Sequence, residues 1–348
     1  MGAYIIRRLL SGVVMIFAVT LVTFAVFRLI PQVPACLVVP CGPHTVTTSA
    51  QIAAVNHRLG VDKPLPVQYG DFVWRIFRHG SFGGSWAGFS IDSVLRASLP
   101  PTISILVGGV VLLILLAVPL AVLSALRAQT VVDRAVLFFA IFGIALHPFV
   151  IGLGLKTAFA THLHLVPSFR YCHLMPVHKV PMPANVTHQF QLPQPCGGPL
   201  VWAHHLILPW LTFAIFFLPL YTRMIRTRLI ETLDDQHVVT ARAKGASELR
   251  VVFSHVLRPA LLPLVTMIGM DLGAALTAAI YIETIYSFQG LGALMLATLA
   301  NMSGTFDLPV IGAIFFVVAT AIVLLNLVVD LLYAWFDPRI RLVRPATA

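Results

Sequence analysis

Residues 99–126 read LPPTISILVGGVVLLILLAVPLAVLSAL, a run without a charged side chain. About 20 predominantly apolar residues suffice for a helix to cross a bilayer, so this stretch alone predicts a membrane span. Working outward, five more stretches qualify or nearly so: Leu9 to Leu29, Val136 to Thr161, Leu206 to Tyr221, Leu261 to Tyr281 and Pro309 to Phe336. The expected fold is therefore all-α, a polytopic membrane protein with six transmembrane helices. The fourth stretch is short and can borrow Leu200 to Ala203, while Pro209 and Pro219 predict local kinks in it. Arg7 and Arg8 precede the first run as in a signal peptide, but no small-residue cleavage site follows, and it reads as a retained anchor.

Composition agrees. Of 348 residues, 58% are hydrophobic and 10% charged, against about 45–50% and 25% in an ordinary soluble domain. None of Lys63, Lys156, Lys179 and Lys244 stands between a Gly and a Ser or Thr, which excludes the phosphate-cradling loop of an ATPase. The net charge of +10 raises nucleic-acid binding, yet the basic residues flank apolar runs instead of gathering on a solvated face. Segments 1–8, 127–134, 223–258 and 337–348 carry 14 Lys and Arg, against 7 in the longer segments 31–98, 162–205 and 282–308. This bias places both termini in the cytoplasm of a multi-pass protein of the cell (inner) membrane.

The four cysteines, Cys36, Cys41, Cys172 and Cys196, all fall in segments assigned to the outside. Pairing Cys36 with Cys41 and Cys172 with Cys196 keeps each disulfide within one loop of an oxidising compartment. Four free thiols are the alternative. In the first outer segment Ser49 can cap a helix over Gln51 to Leu59, with Gly60 as its stop. A second, amphipathic helix is expected from Val67 to Arg78, with Tyr69, Phe72, Val73, Ile76 and Phe77 on one side and Gly80 at its end. Together they read as a small cap on the outer bilayer face. The second outer segment holds His162, His164, His173, His178, His188, His204 and His205 beside two Cys, which raises a zinc, nickel or copper site. The spacing fits no tight ligand pattern, and no metal is assigned. Asn185-Val186-Thr187 fits a glycosylation acceptor that matters only in a eukaryotic secretory system.

Between the fourth and fifth runs, Asp234 or Asp235 can cap a helix to Lys244, Gly245 supplies a left-handed stop, and Ser247 caps a second helix with Glu248 in its first turn. Leu249, Val252, Phe253, Val256 and Leu257 give the second helix an apolar stripe, with Arg250 and His255 off its centre. A DNA-reading helix-turn-helix is the rival. Tied to the membrane at both ends, this unit has no room for an independent core. A short helical pair held rigidly at the membrane surface suits receipt of force from a soluble partner.

These residues carry a resemblance. Thr240-Ala241-Arg242-Ala243-Lys244-Gly245, followed by Ser247, Arg250, His255, Leu257, Arg258 and Pro-Ala-Leu-Leu-Pro at 259–263, is similar to the coupling loop of binding-protein-dependent ABC importers, in particular the dipeptide, oligopeptide and nickel permeases. The general loop begins Glu-Ala-Ala. Here Val239 and Thr240 stand at the first two places, a departure the peptide group itself tends to show. Ile5-Ile6-Arg7-Arg8-Leu9-Leu10, Leu59 to Tyr69, Ile282-Glu283-Thr284-Ile285-Tyr286 with Gly290-Leu291-Gly292, and Val329 to Ala334 with Asp337-Pro338-Arg339-Ile340-Arg341 extend the resemblance over nearly the whole chain. Two departures are Ser81, where the group often has Asp, and the outer loop rich in His, Pro and Cys.

The resemblance implies a transport subunit that is not itself an enzyme. It implies a second, homologous permease, one or two ATP-binding subunits and an outer substrate-binding protein as partners. No cofactor is expected on this chain; ATP and Mg belong to the partner ATPases. The implied divisions are a first helix (1–30), an outer segment (31–98), a five-helix core (99–336) and a tail (337–348). The core includes outer loop 162–205, coupling loop 223–258 and outer segment 282–308. Peptides are the implied cargo, with nickel or another metal complex as the alternative.

Asp271 sits midway along the fifth run, where a lipid-facing carboxylate costs about 2.5–3.5 kcal/mol. It is expected to line the translocation path and meet a peptide amino group, or else to make an interhelical hydrogen bond. Gly269 and Gly273 are spaced for close helix contact on another face. Glu283 is the second candidate path residue. Asp330 reads as structural, and Arg28 and Lys156 as snorkelling cations near outer ends. An ion-coupled carrier using Asp271 and Glu283 is a rival, but no inverted repeat is evident. A membrane metalloenzyme is another, without a close ligand set such as H-E-x-x-H.

Overall fold

The computed structural model describes residues 2–29, 49–59, 62–86, 88–144, 146–167, 171–174, 194–299 and 307–336. Cys36, Cys41, Gly60, His178, His188, the 185–187 triplet, the 337–348 tail and the side chains of Arg28 and Asp330 lie outside the described residues. Helices dominate: α1 (Gly2–Leu29), α2 (Ser49–Leu59), α3 (Leu65–His79), α4 (Ile91–Leu126), α5 (Val131–Ile144), α6 (Pro148–Leu155, continued by a π-helical stretch Lys156–His162) and α7 (Pro199–Leu233). Beyond them come α8 (Gln236–Ala243), α9 (Glu248–Arg250), a π-helical stretch Val251–Val256, α10 (Leu257–Ala260), α11 (Leu262–Met270), α12 (Leu272–Tyr286), α13 (Leu291–Leu299) and α14 (Leu308–Phe336). A parallel pairing of β1 (Cys172–His173) with β2 (Gln194–Pro195) ties the outer loop.

By length and composition, three helices among the described residues can cross a membrane: Ile91–Leu126, Pro199–Leu233 and Leu308–Val329. A fourth joins them if Glu248–Ala260 and Pro263–Met270, bent by 41°, count as one span. Six unbroken spans are not what the chain builds, because the third and fifth apolar runs are interrupted. In the third, Pro148 lacks an N–H and pushes His147 to extended backbone (ψ 144°), where its Nδ1 accepts from Phe149 N. In the fifth, Asp271 (φ −84°, ψ 1°) separates α11 from α12.

The fourth run, with Pro209 and Pro219 inside it, forms one helix, α7, that continues to Leu233. Neighbouring helices compensate inside a membrane protein for the bond each proline removes. Pro219 is seated on Gly143 of α5, where an added Cβ would lie 2.5 Å from its ring.

The main core forms where α4 meets α7. A Cβ on Gly108 would lie 2.1 Å from the Trp210 indole and one on Gly109 2.6 Å from the Phe213 ring, so the two glycines admit both aromatics. Ile105, Leu113, Ala117 and Ala121 of α4 bury against Leu206, Phe213, Phe217 and Tyr221 of α7. A second cluster at the start of α4 joins Phe89, Ile91, Val94 and Leu95 to Leu291 and Leu294 of α13 and Val310, Ala313 and Ile314 of α14.

The outer pieces are latched onto this frame. Cys172 and Cys196 form a disulfide with Cα atoms 5.1 Å apart. Tyr171 shares a 2.9 Å hydroxyl hydrogen bond with Ser104 of α4 and accepts from Trp202 Nε1 at 3.2 Å. Helix α3 ends at Gly80 (φ 59°) as its sequence predicts. Tyr69 packs against Phe17 and Phe24 of α1 and bonds Thr20 at 3.0 Å. Phe77 departs from the expected packed side and is exposed. Ser81, at the position that departs from the resembled pattern, donates to Asp92. Lys156 does not snorkel: its Nζ donates to the Ile285 carbonyl at the C-terminal end of α12, where a cation complements the helix dipole.

At the inner end, Asp133 in the first turn of α5 receives Arg226 Nε at 2.6 Å and Nη2 at 2.7 Å, Ser124 Oγ at 2.6 Å and Gln129 N at 2.8 Å. Its side chain is 4% exposed and that of Arg226 18%. The guanidinium holds the Asp133 carboxyl well below the usual carboxylate range.

Two outcomes are expected. Gly109→Ala forces the Phe213 ring to move and lowers stability by about 1–3 kcal/mol, the usual cost of overpacking, read by thermal unfolding in detergent. Asp133→Ala, which strands Arg226, costs about 3–5 kcal/mol. Because the folded Asp133 carboxyl is depressed, its stabilisation is complete above the unfolded value of about 3.9 and declines as pH falls below it. The melting difference between wild type and Asp133→Asn therefore stays flat from neutral pH to about 5 and shrinks at lower pH.

Candidate functional site

The segment expected to couple, residues 236–257, forms a helix, a turn and a second helical run. Helix α8 closes with Lys244 N bonded to the Thr240 carbonyl at 3.1 Å, Gly245 N to Arg242 at 2.9 Å and Ala246 N to Ala241 at 3.2 Å. Gly245 takes φ +81°, the left-handed stop its sequence predicts. Asp235 and Ser247 occupy the expected capping positions, but neither side chain makes a capping bond. The turn is instead braced by Arg242, whose Nε and Nη2 reach Glu248 at 2.9 and 3.3 Å. This pair is largely exposed and contributes little energy.

The expected apolar stripe of the second helix is split. Val251, Val252 and Val256 are buried, Leu257 is half-buried, and Leu249 and Phe253 point outward at 73% and 60% exposure. The cause is the π-helical winding of Val251–Val256, which shifts the register away from the 3.6-residue period. Val238 of α8 is buried with Val251 and Val256 in the main core, anchored on Ile225 and Leu229 of α7. Val239, 55% exposed, joins Leu249 and Phe253 in presenting apolar surface to solvent. Thr240, Arg242, Ala243, Lys244, Gly245, Ser247 and Arg250 are exposed, whereas Ala241 and His255 are half-buried. His237 Nε2 lies 3.3 Å from the His255 carbonyl and joins the two helices from the side.

Asp271 and Glu283 have different surroundings. Asp271, half-buried at the break between α11 and α12, accepts from the Tyr221 hydroxyl of α7 at 2.9 Å. Gly269 packs towards Val329 and Asn326 of α14, but Gly273 is exposed with nothing within 4 Å of an added Cβ, so the expected two-glycine seam is reduced to Gly269. Glu283 is fully enclosed. Its carboxylate accepts from Thr102 of α4 at 2.5 Å and from Ala293 N at 3.0 Å, while Thr102 Oγ1 receives Leu291 N at 2.9 Å. A Cβ on Gly290 would lie 2.1 Å from that carboxylate. Glu283 thus holds the start of α13 to α4, with no surface facing a path.

The outer histidines are dispersed. His164, His204 and His205 lie within 3.2 Å of backbone carbonyls, and His173 is buried with its ring edge-on to Tyr171 at 4.9 Å. Burial pushes the His173 imidazole below its ordinary value. Among the described residues no group of three or more His, Cys, Asp or Glu is placed to hold a metal ion. The Asp133–Arg226–Ser124 cluster and the Tyr221 and Thr102 partners were not among the candidates. The single acid beside the start of α5, in an otherwise basic inner segment, was their available signal.

Residues 117–342, which contain the whole cytoplasmic loop, match the family described as binding-protein-dependent transport system inner membrane component. Residues 1–87 match the N-terminal part of such membrane components. The di/tripeptide transport system permease protein DppB of Pseudomonas aeruginosa is 34% identical over 349 residues, covering 98% of this chain and 99% of that one. The probable D,D-dipeptide transport system permease protein DdpB of Escherichia coli K12 is 34% identical over 342 residues, 97% of each. The probable peptide ABC transporter permease protein y4tP of Sinorhizobium fredii is 32% identical over 98% of this chain and all of its own length. With its apolar helices and matches at both ends, the chain belongs to the family of binding-protein-dependent ABC transport permeases, integral components of the inner membrane.

Proposed function

We propose that this chain is one of two permease subunits of an ATP-driven importer of di- and oligopeptides. The observation that carries the reading is the exposure of Val239, Leu249 and Phe253 on a helix pair fixed to the main core. Large exposed hydrophobics on a cytoplasmic surface mark a partner site. Here the partner is an ATP-binding subunit, which carries ATP and Mg, and residues Thr240 to Leu257 fill a groove on it. Closure of the nucleotide sites then displaces rigid elements and alternates access. The peptide names of the relatives support the cargo, and an outer binding protein delivers it.

In this reading the apolar runs form six crossings, with the third and fifth built from broken helices and both ends of the chain cytoplasmic. Broken helices inside a membrane are tolerated where they are buried in protein or line a cavity. Asp271 lies at such a break and keeps part of its surface open. It serves the path by meeting the amino group of a peptide, with Tyr221 aiming its carboxylate. Glu283, enclosed by α4 and α13, serves it indirectly by fixing the outer end of α12.

Two experiments test this. Leu249→Asp with Phe253→Asp abolishes recovery of the ATP-binding subunit with the tagged chain. The chain's own stability stays within about 0.5 kcal/mol, as for other surface substitutions. Unchanged recovery removes the docking face. Gly245→Asp is a companion that puts a charged side chain at φ +81°, where L residues are strained, so its thermal unfolding is compared with wild type before any lost recovery is read as lost docking. For the path, Asp271→Asn reduces uptake of peptides with a free amino group relative to N-acetylated ones. An unchanged ratio rejects the role of Asp271.

A further inference from the structure

We propose that Arg226, through its forked contact with Asp133, is a positioning residue for transport. It locks the α4–α5 junction to the foot of α7, so that displacement of the cytoplasmic helices carries α5 along with α7. The inference rests on the functional reading above and deepens it by naming the side chains through which docking reaches the second and third apolar runs.

Position is the first argument. Helix α7 runs without a break through Arg226 to Leu233, and α8 starts at Gln236. Ile225 and Leu229, flanking Arg226, share the buried cluster of Val238, Val251 and Val256, so the cytoplasmic helices rest on the turn that carries this arginine. On the other side, one carboxylate gathers Arg226 of α7, Ser124 of α4 and the backbone of Gln129 in the connecting turn. Arg226 Nε also lies 3.1 Å from Ser124 Oγ. Three helices and one turn therefore meet at Asp133.

Geometry is the second argument. Two roughly parallel N–H···O bonds at 2.6 and 2.7 Å fix rotation as well as distance, which a point-charge ammonium does not. Mere stability does not require such a pair, because apolar packing in the same volume serves as well or better. A buried fork is useful where the relative orientation of helices must survive a load. Coupling of this kind has to be shown by measurement and not by adjacency alone.

The test is a distance between nitroxide labels on Val131→Cys, at the exposed start of α5, and Asp234→Cys, at the exposed end of α7. Cys36 and Cys41 are replaced by Ser, and the Cys172–Cys196 disulfide is left intact. Pulsed electron paramagnetic resonance is recorded on the assembled complex, nucleotide-free and trapped with ATP and vanadate. The wild type is expected to give one distance, the same in both states. Arg226→Lys and Asp133→Asn are expected to give a different distance in each state while trapping still occurs. Ser124→Ala, which removes the bond to Asp133 and the contact with Arg226 Nε but leaves the fork, is the variant that folds most safely and gives a smaller difference in the same sense. A wild-type distance that changes on trapping overturns the proposal. So do variants whose distance is the same in both states. If no ATP-binding subunit can be trapped on the wild-type chain, the functional reading fails and the proposal with it, a result distinct from a trapped complex whose two labels move apart.

Discussion

The seating of the Trp210 and Phe213 rings of α7 directly on the Gly108 and Gly109 backbone of α4 is the constraint on which the other positions depend. Hydrocarbon chains are as apolar as leucine, so two helices in a bilayer gain little from burying apolar side chains and associate through close packing and hydrogen bonds. Two consecutive glycines provide the first and the bond from Trp210 Nε1 to the Ser104 carbonyl, at 2.8 Å, provides the second. Once α4 and α7 are joined along their length, α7 becomes the reference for every other piece. Trp202 meets Tyr171 beside the disulfide, Thr212 meets Tyr286 of α12, Tyr221 meets Asp271, and Arg226 meets Asp133.

This arrangement explains why the third and fifth apolar runs can be broken. An interrupted helix in an apolar medium leaves backbone groups unpaired unless protein supplies partners. At the break before α12 the Asp271 carbonyl still accepts from Ala275 N at 2.8 Å and the Asp271 amide bonds the Met267 carbonyl at 2.9 Å, so the ladder is bent without being lost. The side chain at the corner is held by α7. At the break before α6, His147 closes the turn itself and stacks edge-on against Tyr281 at 4.5 Å. The corner at Asp271 thus leans on unbroken α7, and the corner at His147 on Tyr281 of α12.

Local features were legible in the sequence, and features depending on distant partners were not. Apolar length marked α1, α4 and α14, and Gly245 and Gly80 marked their turns, because each signal is contained within a few residues. The apolar stripe of 249–257 failed because it assumed a 3.6-residue period, and the π-helical winding of Val251–Val256 turned Phe253 outward and Val251 inward. Pro219 was visible in the sequence, but the glycine on which it is seated, Gly143, lies on α5, far away along the chain. Lys156 looked like a snorkelling cation because its acceptor, Ile285, lies on another helix. Of the two acids expected along the path, one kept a partly open surface and the other was enclosed by Thr102 and the start of α13. Nothing around Glu283 in the sequence names those partners.

The two enclosed acids at opposite ends of α4 are held by different chemistry, and the difference fits the work each end performs. At the outer end Glu283 is satisfied by a hydroxyl and a backbone N–H, groups that belong to the turn it secures and move with it. At the inner end Asp133 is satisfied by a guanidinium on another helix, with two bonds that resist twisting as well as separation. Hydroxyl and amide donors allow small rotations at modest energetic cost, whereas an almost enclosed fork loses both bonds at once and strands a charge. In the proposed reading, in which an ATP-binding subunit pushes on the helix pair of residues 236–257, the load would meet a stiff joint first and a more yielding one last, an order that suits inner ends moving as a body while the outer ends reorganise.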